Sequence, residues 1–118
     1  MSGPGIKMRT LRADSVLLNP GRTLDNTNAH EMVEAITRAQ GAGNKFIIVD
    51  MRELEFLSSA GVGSILGTIE TSREQGGDLI ICNASRSILH VLQVLDLLEY
   101  LTIVPDEQHA AARAGIEL

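Results

Sequence analysis

The spacing of apolar residues changes several times along this chain, and each change marks an element. Lys7–Leu11 and Ser15–Leu18 read as two short extended segments, with Arg12-Ala13-Asp14 as the turn between them. Asn19-Pro20-Gly21-Arg22 is punctuated as a loop. Asp25, Asn26, Thr27 and Asn28 are all residue types that cap helices, and Glu31 stands three positions after Asn28, the spacing of a capping box. Ala29, Met32, Val33, Ile36 and Ala39 then recur at helical spacing until Gly41-Ala42-Gly43 stops the run.

Phe46–Val49 is a continuous apolar run, as expected of a strand covered on both faces. Val62, Ile65, Leu66 and Ile69 form the buried stripe of a second helix ending at Gly76-Gly77, and Leu79–Cys82 is another strand buried on both faces. Ser85 caps a third helix carrying Ile88, Val91, Leu92 and Leu95, and Leu101–Val104 is a last short strand. Pro105-Asp106 opens a terminal helix through Ala114, with Gly115 as its stop. Strands separated by single helices pair in parallel through right-handed crossovers. The order β-β-α-β-α-β-α-β-α therefore predicts an α/β domain: a mixed, mostly parallel sheet of about five strands with about four helices.

Length and composition narrow the function. The 118 residues make one domain, 1–118, with residues 1–5 as a flexible tail. Aromatic residues are 3% of the chain and Trp is absent, so aliphatic residues build the core, and a stacking platform for single-stranded nucleic acid is excluded. Ten Lys and Arg against fifteen Asp and Glu give a net charge of −5. That balance argues against nucleic acid and anionic membranes as partners. Cys82 is the single cysteine, which leaves no internal disulfide and no cysteine-rich metal site. With no apolar run at the start and no stretch of membrane-spanning length, the expected location is the cytoplasm.

Catalytic chemistry finds no foothold. His30, His90 and His109 fall on three separate predicted helices, with no acidic or histidine partner expected at ligand spacing, so no metal site is expected. The glycines at 61, 63, 67, 76 and 77 fit neither a dinucleotide fingerprint nor a phosphate-binding loop, so no cofactor is expected. Ser59 has no neighbouring His or Lys to activate it, and Cys82 ends a buried strand as a core thiol. Asp50 and Glu53 could form an acid/base pair, but read better as a solvated strand exit. No catalytic residue is assigned, and the chain is not expected to be an enzyme.

The informative stretch is 47–67, where a buried strand leads through Phe56-Leu57 to two serines and a helix. Ser58 and Ser59 fall at the N-cap and in the first turn, where free amides and the helix dipole favour a phosphate. The helix then carries small residues, read as an exposed edge: Ala60 or Gly61, Ser64, Gly67 or Thr68, and Thr71. Gly63 and Gly67 each cost about 0.5–1 kcal/mol relative to Ala within a helix. Either something approaches this backbone closely, or the glycines fit the helix to the sheet. Further on, Ile88 to Leu98 holds too many apolar residues for one helical face. Either the helix ends near Asp96 with Leu97-Leu98 folded back into the core, or Leu89 and Val94 form an exposed patch.

Several segments together resemble the STAS domain of bacterial anti-sigma-factor antagonists, from about Lys7 to Gly115. Gly21-Arg22-Thr23-Leu24-Asp25 is similar to the family's Gly-x-Leu-Asp loop with one extra residue. Ile48-Val49-Asp50 followed by Phe56-Leu57-Ser58-Ser59-Ala60-Gly61-Val62-Gly63 resembles its central strand and phospho-acceptor loop. Gly76-Gly77-Asp78-Leu79 and Ser85 through Leu97 resemble the later strand and helix. The resemblance implies that an anti-sigma factor that is also a serine kinase binds the unphosphorylated chain, which frees the sigma factor. Phosphorylation ends that contact, and a serine phosphatase resets it. Ser59 matches the acceptor. Ser58 stands where the family usually carries Asp, which leaves two adjacent hydroxyls and makes Ser58 the second choice.

The partner surface implied is Leu24, Asp25 and Asn26, with Ser58 and Ser59 and the helix edge Gly61, Ser64 and Thr68. A switch of this kind is expected to be a monomer or weak dimer. Two other roles known for such domains are a scaffold subunit of a stress-signalling assembly and a nucleotide- or lipid-binding regulatory module.

Overall fold

A computed structural model describes residues 5–12 and 14–116. Of the expected tail at 1–5 only Gly5 is among them, and Ala13 of the first turn also lies outside. The elements are β1 (Lys7–Arg12), β2 (Ser15–Asn19), β3 (Thr23–Leu24), α1 (Ala29–Gly41), β4 (Phe46–Asp50), β5 (Phe56–Leu57), α2 (Ser59–Glu74), β6 (Asp78–Cys82), α3 (Arg86–Val94), β7 (Thr102–Val104) and α4 (Glu107–Arg113). The main sheet runs β1-β2-β4-β6-β7, with β1 antiparallel to β2 and every other pair parallel. This is the mixed, mostly parallel sheet with four helices that the apolar pattern predicts.

The continuous apolar runs serve two cores because successive side chains on a strand point to opposite faces. Val16, Leu18, Ile47, Val49, Leu79 and Ile81 face a large core shared with Met32 and Ile36 of α1, Ile65 and Ile69 of α2, and Ile88 and Leu92 of α3. Leu17, Ile48, Ile80 and Cys82 face a smaller core closed by Ala110 of α4. Fully burying each such aliphatic side chain contributes about 1.5–3 kcal/mol, so the central strands hold both layers together.

Two elements are too short to leave a period in the sequence. β3 and β5 pair in parallel as a separate ribbon, Thr23 opposite Phe56 and Leu24 opposite Leu57. Leu24 and Leu57 point into the large core, while Thr23 and Phe56 face outward.

The third helix combines both of its sequence readings. It ends at Val94, and Asp96 adopts a left-handed φ of 61° that reverses the chain. Leu97 packs against the large core as the first reading has it. Leu98 does not fold back, and Val94 stands exposed as the second reading has it, whereas Leu89 is half-buried.

Candidate functional site

The ribbon brings the loop after β2 against the start of α2. The Arg22 carbonyl accepts the amides of Glu55 (2.7 Å) and Phe56 (3.2 Å), and the Leu24 carbonyl accepts the amide of Ser58 at 3.0 Å. An exposed Arg22–Glu55 ion pair at 3.0 Å bridges the two loops. A Cβ on Gly61 would lie 2.2 Å from the Leu24 oxygen, so only glycine permits this contact.

The two serines have different tasks. Ser58 is the N-cap of α2, half-buried, with its Oγ accepting the Gly61 amide at 3.3 Å. Ser59 is the first residue of the helix; its side chain is exposed and makes no hydrogen bond among the described residues. One hydroxyl is committed to the fold, and the other is free for chemistry.

Asp25 and Asn26 lie on the neighbouring loop, Asp25 half-buried and Asn26 exposed. The Asp25 carboxylate accepts from Thr27 Oγ1 (2.5 Å) and the Thr27 amide (2.9 Å), and these bonds hold its carboxyl below the usual range. Asn28 occupies the N-cap position of α1 but forms no capping box with Glu31. Its side chain turns back to accept the Asp25 amide at 2.9 Å and to donate to the Thr23 carbonyl at 2.8 Å, which stiffens the loop instead.

The exposed edge expected at Gly61, Ser64 and Thr68 is buried. Ser64 is 3% and Thr68 2% accessible, and Leu24 is fully enclosed. The reason is angular: at roughly 100° per residue Gly61, Thr68 and Ser72 fall within about 60° of Ile65, which points into the large core. Their polar atoms are satisfied within the bundle. Ser64 Oγ donates to the Gly61 carbonyl at 2.6 Å and Thr68 Oγ1 to the Ser64 carbonyl at 2.9 Å. The buried Gln40 of α1 donates to the Thr68 carbonyl and Ser72 Oγ, both at 2.9 Å. Thr68 and Ser72 are therefore part of the α1–α2 contact, Gly61 meets the Leu24 backbone of β3, and Ser64 is enclosed with its hydroxyl returned to its own helix. The open side of α2 carries Ser59, Gly63, Gly67, Glu70 and Thr71, and nothing lies within 4 Å of a Cβ added at Gly63 or Gly67.

The family model for the STAS domain matches residues 7–110. The chain belongs to the STAS domain family. The anti-sigma F factor antagonist of Paenibacillus polymyxa is 29% identical over 80 residues, covering 68% of this chain and 66%, just under two thirds, of that protein. BtrV of Bordetella bronchiseptica, whose name places it among candidate anti-sigma factor antagonists, is 28% identical over 112 residues, covering 92% of this chain and 94% of that one. Among solved structures, the anti-sigma factor antagonist SpoIIAA in its unphosphorylated form superposes with a TM-score of 0.81 at 23% identity, over 95% of this chain and 98% of that chain. The phosphorylated form of SpoIIAA, described as a Bacillus cell fate determinant, gives 0.73 at 22% identity, over 93% and 99%.

The remaining candidates of the sequence are structural parts of this STAS domain. Asp50 is buried at 3% accessibility and is no solvated strand exit. It accepts from the Arg52 amide (3.1 Å), Arg52 Nε (2.8 Å) and Asn83 Nδ2 (2.9 Å), tying the ends of β4 and β6 together. Arg52 also reaches Glu107 at the start of α4, so the network ties the sheet to that helix. Glu53 is exposed and accepts from Asn19 at 3.3 Å. Contrary to the expectation of no acidic partner, His30 and His109 each meet a carboxylate one helical turn away, Glu34 at 3.3 Å and Asp106 at 2.7 Å. Among the described residues no three His, Cys, Asp or Glu side chains converge as a metal site, and no helix is long and apolar enough to cross a membrane. Burial, with the Asp50 charge nearby, pushes the Cys82 thiol up to about 12, so it stays protonated and inert at neutral pH.

Proposed function

We propose that this chain is a single-domain anti-sigma factor antagonist that works as a phosphorylation switch in the cytoplasm. It is not an enzyme. Unphosphorylated, it binds an anti-sigma factor that is also a serine kinase; phosphate on Ser59 releases that partner, and a serine phosphatase restores binding. The observation that carries this reading is the division between the two serines: Ser58 spends its hydroxyl on the cap, and Ser59 offers a free hydroxyl on an exposed first turn. The relatives named as antagonists, and the existence of SpoIIAA in both phosphorylation states, support the same reading.

Physical chemistry says how the switch acts. Phosphate adds about −1.5 to −2 charges at pH 7. At a helix N-terminus the dipole and free amides tolerate that charge, so the domain stays folded. The effect falls on the partner, which must desolvate a dianion in a close contact. The contacting surface on this reading is Asp25, Asn26, Ser59 and the bare helix face at Gly63 and Gly67, with Leu24, Ser58, Gly61, Ser64 and Thr68 supporting it from beneath. The glycines suit this role because the fold itself makes no use of their missing side chains.

The experiment is phosphopeptide mapping after incubation with the cognate kinase, alongside calorimetric binding of Ser59→Ala and Ser59→Asp. Ser59→Ala binds constitutively and is not phosphorylated, while Ser59→Asp binds poorly and melts like the parent. Phosphate confined to Ser58 removes the assignment.

A further inference from the structure

The sequence left an apolar surplus at the end of the third helix, and the acceptor turn does not use it. Among the described residues, Val94 (69% accessible), Leu95 (46%), Leu98 (40%) and Tyr100 (40%) are four of the six large apolar side chains that stand exposed. They crowd into the short segment that leaves α3. Patches of this kind on a soluble domain mark contact sites more often than scattered single residues do.

The segment is fixed in place. The Leu97 amide donates to the Leu92 carbonyl at 2.9 Å, and the Leu97 side chain packs on the large core. Tyr100 is held against α2: its hydroxyl donates to the Glu70 carboxylate, and its carbonyl accepts from Arg73 at 2.7 Å. The Arg73 guanidinium lies 4.8 Å from the centre of the Tyr100 ring.

The rim of the patch is acidic. Glu70, Asp96 and Glu99 are all exposed, and neither Asp96 nor Glu99 has an ion-pair partner among the described residues. The nearby cation, Arg73, is already engaged by Asp78 at 3.0 Å. A second copy docked across a two-fold axis would set the same patch, with the same carboxylates, against itself. We propose that this face is a second docking surface, for a protein segment presenting an apolar stripe flanked by lysine or arginine. Ser59 and Glu70 are eleven residues apart on α2, about 16 Å along the helix axis, so the surface lies away from the acceptor turn and adjoins only the Gly67 end of the bare helix face.

The test uses the full chain and a synthetic amphipathic peptide with one leucine stripe flanked by lysines. Tyr100 is the only tyrosine in a chain without tryptophan, so its fluorescence reports from the patch itself. Saturable binding with a Tyr100 change is expected. It weakens at least about tenfold in Val94→Ser/Leu98→Ser, in Asp96→Asn/Glu99→Gln, and against a peptide with glutamates in place of the lysines. Both pairs are surface changes, and unchanged melting temperatures check that the variants are folded. Three results overturn the proposal: no binding by the parent chain, equal affinity for the lysine and glutamate peptides or parental affinity in either variant, or a dimer in analytical ultracentrifugation that Val94→Ser/Leu98→Ser dissolves. The last would make the occupant a second copy of the chain.

Discussion

The carbonyl of Leu24 and the α-carbon of Gly61 meet so closely that a Cβ on residue 61 would stand 2.2 Å from the Leu24 oxygen. Through this contact the β3 loop and the first turn of α2 form one rigid unit, and the stripe that follows, Ser64 and Thr68, stays buried, with Thr68 meeting Gln40 of α1. Gly61→Ala is expected to destabilise the domain by about 1–3 kcal/mol, the usual cost of overpacking against atoms that cannot retreat. Ser64→Arg drives a guanidinium into a buried position on the same helix and is expected to cost more, about 3–5 kcal/mol or loss of folding. Denaturant unfolding of each variant measures both. A Ser64→Arg variant as stable as the parent would return this stripe to the surface.

Ser58 and Ser59 separate by what each loses on truncation. Removing the Ser58 hydroxyl deletes the cap bond to the Gly61 amide, and Ser58→Ala is expected to lose about 1 kcal/mol. Its kinase still phosphorylates Ser59. Ser59→Ala, with no side-chain bond to lose, is expected within about 0.5 kcal/mol of the parent. Chemical denaturation and phosphopeptide mapping on the same pair of variants check the two halves independently.

Phosphate on Ser59 is expected to cost the partner complex about 3–4 kcal/mol, a several-hundred-fold weakening. The melting temperature stays at or slightly above that of the unmodified chain, since the N-terminus of α2 favours an anion. Calorimetric titration and thermal melting of the purified phospho-form read these two quantities.

Gly63→Ala and Gly67→Ala test whether the bare face of α2 is kept for contact. Each has open space for the methyl group, so each is expected to stabilise the domain by about 0.5–1 kcal/mol. Binding of the anti-sigma factor is expected to weaken in both. Stabilisation with unchanged affinity would leave the glycines without a role at the interface.

Cys82 supplies a probe of global unfolding. Enclosed in the smaller core with its thiol pushed up to about 12, it is expected to resist alkylation at pH 8 in the folded chain. Added urea then raises the labelling rate in step with the unfolded fraction. Fast labelling without denaturant would mean that α4 opens locally.

The sequence by itself determined the layered α/β fold, because Phe46–Val49 and Leu79–Cys82 can be buried on both faces only between two layers of helix. It also placed Ser85, Asp106 and Ser58 at helix starts, since an N-cap is a local bond between a side chain and amides a few residues ahead. Tertiary structure decided the rest. β3 and β5 have two residues each and exist only as partners, so neither leaves a period to read. Small polar residues are ambiguous in the same way. Ser64 and Thr68 can sit in water, or return their hydroxyls to their own helix and pack, and only the tertiary neighbours of α2, Gln40 of α1 at Thr68 among them, chose the second. Asp50 reads as solvated until Arg52 and Asn83 close over it from two different loops. What the chain encodes locally is period and cap; which face a small side chain shows to solvent is settled by the neighbour that arrives.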